Sequence, residues 1–310
     1  ELASAGLSVR LLWLGASFPL PQPADREAAL RLFAELPAGA RVLVDGLVLG
    51  ALPEIAAWHG RRLALFALVH HPLAFETGLP PETARRLMVS ERAALAGARQ
   101  VIVTSRTVRD LLVREFGVPF ARIAVAPPGT DPAAAASGTT TGPLQLLTVG
   151  ALIPRKDHLG LIHALAQLAD RPWRLDIVGS TTADPVASAR VRAAIAAFGF
   201  TERVWLAGEL AGEALEAAYA RADLFVSASR FEGYGRAIAE ALARGIPVVA
   251  VRAGAVAELL PESAGFLVEP GQPAALAATI RRLLEDPALR AAMRAGARAA
   301  GAQLPKWQES

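Results

Sequence analysis

The sequence predicts an α/β protein built from two Rossmann-like domains that face each other across a cleft. Three features of the 310 residues predict this fold: short apolar runs recur, helical segments separate them, and one stretch of small residues interrupts the rhythm. The apolar runs are nearly continuous instead of alternating, which is typical of strands covered on both faces of a parallel sheet. Strands alternating with helices favour a doubly wound architecture.

The first half of the chain holds five strand candidates. In order they are "VRLLWL" (9–14), "RVLVDGLVL" (41–49), "RLALFALVH" (62–70), "QVIVTS" (100–105) and "RIAVAPPG" (122–129). Between the third and fourth candidates, "PPETARRLMVSERAALAGA" (80–98) has helical spacing of its apolar residues. This half therefore reads as one Rossmann-like domain.

The interruption is "DPAAAASGTTTGP", from Asp131 to Pro143, which has several turn formers and no large side chain. We interpret it as an interdomain linker, with domains at residues 1–135 and 136–310. Six strand candidates follow the linker. They are "LQLLTVGAL" (144–152), "WRLDIVGS" (173–180), "RVWLAGEL" (203–210), "ADLFVSAS" (222–229), "IPVVAV" (246–251) and "GFLVEP" (265–270).

Composition excludes several classes of function. The net charge is only +3 and no basic tract is present, which argues against a nucleic-acid binder. The absence of cysteine excludes disulfides and thiolate metal sites. No apolar run in the sequence is long enough to span a bilayer. We expect a location in the cytoplasm or at the inner face of the membrane.

The most informative stretch is "SRFEGYGRAIAEALARGIPVV" (229–249), in which a turn joins a buried strand to a helix. The turn contains Glu232, Gly233, Tyr234 and Gly235, and Glu240 follows inside the helix. A helix N-terminus stabilises a phosphate, whereas carboxylates beside it need hydrogen-bond donors such as sugar or ribose hydroxyls. The ordinary alternative is a Gly-rich turn followed by a solvated helical glutamate.

A second group follows the strand that ends at Val149. Gly150 and Pro154 form a turn, and Arg155 and Lys156 then precede a helix. Two cations at this position can clamp a diphosphate, because Arg binds it through two donors and Lys acts as a point charge. A solvated Arg-Lys pair that caps a loop is the alternative.

Two further groups lie at predicted strand ends. His70 and His71 leave a strand of the first domain, and we prefer His70 as the one that hydrogen-bonds a sugar hydroxyl or moves a proton. Glu76 could serve an acceptor, although a salt bridge or a helix cap is as plausible. Gly254 permits close backbone approach to a ligand, and Glu258 is a donor-binding candidate that could simply favour a helix start.

Together these segments resemble the retaining GT-B glycosyltransferases of family 4. The second-domain pieces are "VGALIPRKDH", "VGS", "ADLFVSASRFEGYGRAIAEALARGIPVVA" and "GAVAELLPESAGFLVEPG". The first-domain pieces are "LVHHPLAFETG", "ERAALAGARQVIVTS" and "RIAVAPPGTDP". The resemblance implies a nucleotide-sugar donor held mainly by the second domain, an acceptor held mainly by the first, and transfer that keeps the anomeric configuration without a metal ion or other cofactor.

The resemblance also implies residue roles. Glu232 matches the acid that contacts the donor sugar, and Glu240 matches the acid that binds the ribose. Arg155 and Lys156 fall at the diphosphate-binding cations, and His70 falls at the active-site histidine. These matches predict Glu232 and His70 as catalytic residues. Gly150, Arg155, Lys156, Gly233, Tyr234, Gly235, Glu240 and Glu258 are then the predicted donor-binding residues.

The sequence departs from the family pattern in several places. Ala151 stands where an Arg is common, Asp157 replaces a usual Gly, and Ala253 replaces another. Asp157 therefore adds a negative charge beside the expected clamp. Residues 2–10 read as the end of a helix, so we expect the first domain to lack the family's first strand and Gly-rich loop. An exposed strand edge and weak activity are expected to follow.

Two other functions remain open from the sequence. A nucleotide-sugar epimerase or hydrolase would keep the fold and the donor, and a non-catalytic module would bind a nucleotide sugar without transfer. The donor base (UDP, GDP or ADP) and the acceptor (a sugar, a lipid-linked molecule or another small molecule) also stay open. The helix with Arg85, Arg86 and Arg92 is expected to present a solvated face, with peripheral membrane contact as the alternative.

Overall fold

A computed structural model describes Gly6, residues 8–15 and residues 17–309. The chain divides into two compact units, Glu1–Pro127 and Pro128–Glu309. The division falls earlier than the boundary expected after residue 135. One reason is that the amide of Thr130 donates to the carbonyl of Pro305 at 2.8 Å, which fastens this segment to the second unit.

The first unit contains one parallel sheet in its described part, in the order β1-β2-β3-β4. The strands are β1 (Arg41–Asp45), β2 (Ala64–Val69), β3 (Gln100–Val103) and β4 (Ile123–Val125). The helices are α1 (Pro23–Glu35), α2 (Gly46–Leu49), α3 (Pro53–His59), α4 (Pro81–Gly97) and α5 (Arg106–Phe116). Helix α4 confirms the helix predicted over residues 80–98. Strand β1 is shorter than predicted because Asp45 caps α2, its carboxylate accepting the amide of Leu47 at 2.8 Å.

The strand predicted at residues 9–14 is wrong. These residues have no regular secondary structure, and no described strand pairs with them. Val9, Leu11 and Trp13 are exposed, Leu11 to 74% and Trp13 to 85%, whereas Leu12 and Leu14 are half-buried. A strand needs a neighbouring strand to supply hydrogen-bond partners. Strand β1 lies at the edge of the described sheet and pairs with β2 on one side, but residues 9–14 do not pair with its other side. The helix end predicted at residues 2–10 lies mostly outside the described residues.

The second unit contains a six-stranded parallel sheet in the order β10-β9-β8-β5-β6-β7. The strands are β5 (Leu144–Val149), β6 (Trp173–Val178), β7 (Val204–Gly208), β8 (Leu224–Ser227), β9 (Val248–Val251) and β10 (Gly265–Val268). All six strands predicted for this half of the chain are confirmed. Their side chains are largely buried on both faces, as the continuous apolar runs predicted.

Helices cover both faces of this sheet and complete its core. They are α6 (His158–Ala166), α7 (Pro185–Ala197), α8 (Gly212–Ala220), α9 (Arg236–Ala243), α10 (Val256–Leu259), α11 (Pro273–Glu285) and α12 (Pro287–Gly301). One apolar cluster includes Leu146, Trp173 and Ile280, and another includes Tyr219, Phe225 and Leu242. In the described part of the chain, no helix is both long and apolar enough to cross a membrane.

The segment interpreted as a linker, Asp131–Pro143, packs on the second unit. The amide of Ala136 donates to the carbonyl of Arg244 at 2.9 Å, and the guanidinium of Arg294 donates to the carbonyl of Ala136 at 2.7 Å. The hydroxyl of Thr139 donates to the buried carboxylate of Asp223 at 2.6 Å. Small side chains left the backbone accessible to these partners, so the segment is an ordered part of the unit.

Glu91 is the most buried acid of the first unit's described residues and fixes the turn after β2. Its carboxylate accepts the amides of Leu73 at 2.7 Å and Ala74 at 2.9 Å, so α4 anchors the segment that follows His70 and His71. Burial raises the pKa of Glu91 to about 7, although the two backbone hydrogen bonds oppose that rise. The folded protein therefore holds this proton more tightly than the unfolded chain does.

We predict that Glu91 makes the first unit less stable as pH rises from about 4.5 to about 7. The folded-state pKa is raised, so the favourable contribution is complete below the unfolded pKa of 4.5 and is lost as pH passes the folded value. The full change is roughly 3 kcal/mol. Denaturant unfolding of the protein and of Glu91→Gln between pH 5 and pH 8 measures it. The wild-type stability relative to the variant should fall across this range; a constant or rising difference would contradict the assignment.

Candidate functional site

The order in which successive strands are added to the second sheet reverses between β5 and β8. From β5 the connections run outward through β6 to β7, and from β8 they run outward the other way to β10. Strands β5 and β8 are neighbours, with Leu146 opposite Leu224. In open parallel sheets, ligands bind outside the carboxyl ends of the strands at such a switch point. The loops that follow β5 and β8 carry most of the predicted site residues.

These two loops are tied together through their backbones. The amide of Arg230 donates to the carbonyl of Arg155 at 2.7 Å. The guanidinium of Arg155 in turn donates to the carbonyl of Phe231 at 3.3 Å. The loop after β5 and the loop after β8 therefore hold each other in place independently of any ligand.

An ion pair lies at the centre of this contact. Lys156 Nζ lies 2.6 Å from Glu232 Oε1, and the two side chains are only 18% and 11% exposed. A buried charge without a partner is strongly destabilising, so each of these groups needs the other in the folded protein. The structure thus brings Arg155, Lys156 and Glu232 together, as the sequence predicted for one site.

Two glycines give this pair room. A Cβ on Gly150 would lie 3.0 Å from Cδ and Cε of Lys156, so the lysine stem packs directly against the Gly150 backbone. A Cβ on Gly254 would lie 2.2 Å from the carbonyl oxygen of Glu232, and Gly254 has φ +60°. The amide of Ala255 donates to that same carbonyl at 2.8 Å. The loop after β9 therefore supports the backbone of Glu232.

The carboxylate of Asp157 has two partners, so it is not an unpaired negative charge beside the predicted diphosphate clamp. It has φ 48°, a left-handed conformation that favours the Gly usual here, and its carboxylate caps α6 by accepting the amide of Gly160 at 3.3 Å. The same carboxylate pairs with Arg230 at 3.1 Å. Arg230 lies in the loop after β8, so this pair adds a side-chain contact to the backbone bonds between the loops.

His158 begins α6 directly after this aspartate and is fully enclosed. Burial and, to a lesser degree, the charge of Lys156 lower the pKa of His158 to about 4. The imidazole is therefore neutral at neutral pH and adds no charge beside Lys156. This agrees with its interpretation as a structural residue.

Helix α9 starts at the end of the predicted turn. Gly235 has φ +101° and is the N-cap of α9, and no side chain caps the helix there. Gly233 and Tyr234 are half-buried, and burial raises the pKa of Tyr234. The hydroxyl of Tyr234 therefore stays protonated at neutral pH and can donate a hydrogen bond.

Glu240 lies one turn further along α9, beside a pocket of about 330 Å³. Its Oε2 accepts the hydroxyl of Tyr219 at 2.8 Å, and its Oε1 lies 3.5 Å from the guanidinium of Arg236. The pocket is also lined by residues 129–134, Leu215, Glu216, Arg236 and Arg244. The structure places Glu240 in this pocket and shows no direct contact between its carboxylate and Lys156 or Glu232.

The remaining candidates are spread more widely. Glu258 is exposed on the short helix α10, whose loop supports Glu232. In the first unit, His70 is exposed at the carboxyl end of β2. His71 is half-buried, with its Nε2 3.7 Å from the carboxylate of Glu76. Glu76 therefore contacts His71, and this contact is a salt bridge only where the imidazole is protonated.

Three functional candidates were missed by the sequence interpretation: Arg230, Tyr219 and Arg244. Arg230 could have been found from its position two residues before Glu232 together with the unusual Asp157. Tyr219 lies in a helix whose apolar neighbours predict only a core position. Among residues 6, 8–15 and 17–309, no three His, Asp or Glu side chains are grouped so as to hold a metal ion.

Two family models match the chain in regions that together cover most of it. Glycosyl transferases group 1 matches residues 131–300, more than half of the chain. The chain belongs to this family. Glycosyltransferase Family 4 matches residues 2–134. The resemblance drawn from the sequence motifs is therefore confirmed.

Curated relatives carry glycosyltransferase names. The chain is 32% identical over 257 residues to the D-inositol 3-phosphate glycosyltransferase of Kineococcus radiotolerans, which covers 73% of this chain and 58% of that protein. It is 30% identical over 224 residues to the 2-deoxystreptamine glucosyltransferase of Streptomyces kanamyceticus, covering 66% of this chain and 57% of that protein. The chain thus spans a little under three fifths of the length of these relatives.

Solved structures share the fold. Sucrose-phosphate synthase from Thermosynechococcus elongatus superposes with a TM-score of 0.76 at 25% identity, over 94% of this chain and 78% of that one. Anabaena Alr3699/HepE in complex with UDP-glucose also gives 0.76, at 24% identity, over 93% and 81%. These neighbours are GT-B glycosyltransferases, so the prediction of α/β units with parallel sheets of GT-B type is confirmed.

We predict that Gly254→Ala destabilises the second unit more than Gly271→Ala does. Both glycines have left-handed φ values, +60° and +74°, which cost an alanine about 1 kcal/mol. A Cβ at Gly271 meets open space, whereas one at Gly254 would collide with the Glu232 carbonyl. The excess for Gly254→Ala should be at least about 2 kcal/mol in denaturant unfolding. Equal losses would mean that the backbone of Glu232 yields freely to the added methyl group.

The ion pair gives a second prediction, tested by a double-mutant cycle. Lys156→Met should cost about 3 kcal/mol, because it leaves the Glu232 carboxylate buried without its cation. Adding Glu232→Gln should restore about 1–2 kcal/mol of that loss, since the amide carries no charge. Denaturant unfolding of the wild type, both single variants and the double variant measures the coupling. Additive losses would show that the two charges do not depend on each other.

Proposed function

We propose that this protein transfers a sugar from a nucleotide-sugar donor to an acceptor hydroxyl, with retention of the anomeric configuration. The observation that carries the proposal is the buried pair of Lys156 and Glu232, held at the switch point between β5 and β8. Family membership and the glycosyltransferase names of relatives at 30% identity or more support it.

A donor would replace the contacts of this ion pair with equivalent ones. The diphosphate offers anionic oxygens to Lys156 and Arg155, and a sugar hydroxyl offers a donor to Glu232. Both buried charges would stay compensated while the ligand is held at its two ends. A single ammonium or carboxylate at this position would recognise only one part of such a molecule.

The same cations would assist the chemistry. As the bond between the anomeric carbon and the diphosphate breaks, negative charge grows on the leaving oxygen. Lys156, Arg155 and the N-terminus of α9 are fixed before the reaction and would stabilise that charge as it develops. We therefore propose a transfer that uses protein cations in place of a metal ion, with Glu232 orienting the sugar.

The other site residues receive supporting roles in this proposal. Glu240 would bind ribose hydroxyls beside its pocket, and Gly233, Tyr234 and Gly235 would line the diphosphate and sugar. Glu258 would contribute from α10. In the first unit, His70 would act on the acceptor side as a hydrogen-bonding or proton-transferring group.

The acceptor is proposed as a carbohydrate, a lipid-linked molecule or another hydroxylated small molecule. The element proposed for peripheral membrane contact is α4, which carries three exposed arginines. Arg85 pairs with Glu82, and Arg92 donates to the carbonyl of Glu115, so two of the three exposed arginines already have partners.

The binding step is tested by calorimetric titration with UDP, GDP and ADP. Replacing both Arg155 and Lys156 by Ala should weaken the Kd of the preferred diphosphate by at least roughly 100-fold, since each charged hydrogen bond is worth about 1.5–3 kcal/mol. Arg190→Ala/Arg192→Ala, on the exposed face of α7, removes arginine charge elsewhere and is the control. Equal weakening in both double variants would mean that general charge, not a clamp, binds the nucleotide.

The transfer step is tested with the matching nucleotide sugar and a panel of acceptors. Glu232→Gln should abolish transfer while the diphosphate still binds. Release of free sugar at the same rate with and without acceptor would favour a hydrolase. Wild-type rates in the variant would remove Glu232 from the proposed role.

A further inference from the structure

We propose that Tyr219 is a positioning residue that orients the carboxylate of Glu240 toward the ribose of the donor, and so sets the protein's preference for ribonucleotides. The inference rests on the proposed function and goes beyond it. It assigns a role to a residue that has no place in the diphosphate clamp. It also makes ribose recognition depend on a second helix, α8.

Tyr219 is held rigidly. It is fully buried in α8, and its ring stacks on Phe225 of β8, with 6.4 Å between centroids and 14° between planes. The guanidinium of Arg244 lies over the ring at 4.4 Å. A hydroxyl carried on a ring with this packing points in one direction. The hydroxyl lies 2.8 Å from Glu240 Oε2, whereas its other acceptor, the carbonyl of Ala237, is at 3.4 Å. The contact with Glu240 is therefore the shorter of the two.

The direction of this hydrogen bond is also fixed. Burial, followed by the nearby charge of Glu240, raises the pKa of Tyr219 far above its usual range. The phenol therefore keeps its proton at every pH at which the protein would be assayed. Tyr219 donates and the carboxylate accepts, so Oε2 has a permanent partner.

Arg244 braces both sides of this contact. It is buried, and it donates to the backbone carbonyl of Glu240 at 2.8 Å while its ring-facing surface covers Tyr219. Its remaining donors reach the carboxylate of Glu216 on α8, at 3.1 Å from Nε. Arg244 thereby links α8 to the carboxyl end of α9 beside Tyr219.

The other oxygen of Glu240 has a weaker partner. Oε1 lies 3.5 Å from the guanidinium of Arg236, whose side chain is 65% exposed. An exposed pair at this distance is worth little and exchanges readily with solvent or ligand. Since Tyr219 holds Oε2, the orientation of the carboxylate is restrained, and Oε1, which has the weaker partner, is the oxygen that a ligand in the neighbouring pocket would engage more readily. A ribose hydroxyl would meet an acceptor that is already oriented.

A purely structural role would predict something else. If Tyr219 only filled the core, removing its hydroxyl would lower stability and affect all ligands equally. If it positions Glu240, removal should affect only ligands that carry the hydroxyl which Glu240 receives. The 2′-deoxy analogue of the same nucleotide separates the two cases.

The experiment compares Kd values for UDP and 2′-deoxy-UDP, or for the GDP or ADP pair if the wild type binds that base. The wild type should prefer the ribonucleotide by roughly 10-fold or more, the value of one hydrogen bond to a charged group. Tyr219→Phe should lose about 3- to 10-fold in ribonucleotide affinity with 2′-deoxy affinity unchanged. Thr279→Val removes a hydroxyl that bonds within α11 and should change neither.

Each other outcome has one meaning. Equal weakening of both ligands in Tyr219→Phe, or an unchanged preference, would overturn the role of Tyr219 while leaving the proposed function intact. A wild type that binds both ligands equally well would overturn recognition of the 2′-hydroxyl by Glu240, and the inference with it. A wild type that binds no nucleoside diphosphate would overturn the proposed function itself.

A second measurement reports on Tyr219 in the protein that keeps this tyrosine, so it does not depend on whether Tyr219→Phe folds. The chain has only two tyrosines, so ¹³C labelling of the tyrosine ring carbon next to the hydroxyl gives two NMR signals, which Tyr234→Phe assigns. The Tyr219 signal should move more with the ribonucleotide than with its 2′-deoxy analogue. Identical movement with both ligands would overturn the inference.

Discussion

The candidate site depends on the contact between the loops that follow β5 and β8, and on the ion pair of Lys156 and Glu232 within it. Taking either charge out of water alone would cost several kcal/mol, and only their proximity makes both tolerable in a nearly closed position. The topology of the sheet supplies that proximity, because β5 and β8 are neighbours while being far apart in sequence. The same pairing leaves a cation and an anion side by side, which is the complement of a ligand that carries both phosphates and hydroxyls.

Close backbone contacts around Lys156 and Glu232 hold this small site in a defined geometry. Gly150 lets the lysine stem lie against the chain, and Gly254 lets a third loop hydrogen-bond the carbonyl of Glu232. Arg230 then fastens the two main loops through both its amide and its side chain. The loop backbones that carry these side chains are fixed before charge develops in the site, and preorganisation of that kind is what electrostatic catalysis requires.

The sequence predicted most of the second unit and the composition of its loops, since continuous apolar runs specify parallel strands and glycine-rich turns specify where they end. It was wrong at residues 9–14, where the apolar pattern is present but the residues pair with no described strand, not even with the edge strand β1. The interpretation of Asp131–Pro143 as a plain linker missed the hydrogen bonds of Ala136 and Thr139, because these use backbone groups or a short hydroxyl. Asp157 was correctly noted as unusual, but its partner Arg230 is 73 residues away and no local pattern connects them.

Tyr219 shows the same limit more sharply. Its position in α8 is specified by burial alone, and a phenylalanine would satisfy the apolar pattern equally well. Its hydroxyl finds its shorter hydrogen bond with Glu240, 21 residues later on the neighbouring helix, and a longer one with the carbonyl of Ala237. A buried polar atom without a hydrogen-bond partner destabilises the fold. A tyrosine in a core position where phenylalanine would fit therefore indicates that the tertiary structure supplies a partner for its hydroxyl. Here the partner is a carboxylate beside a pocket. The hydrogen bond that satisfies the buried hydroxyl of Tyr219 therefore also orients a group that binds ligand.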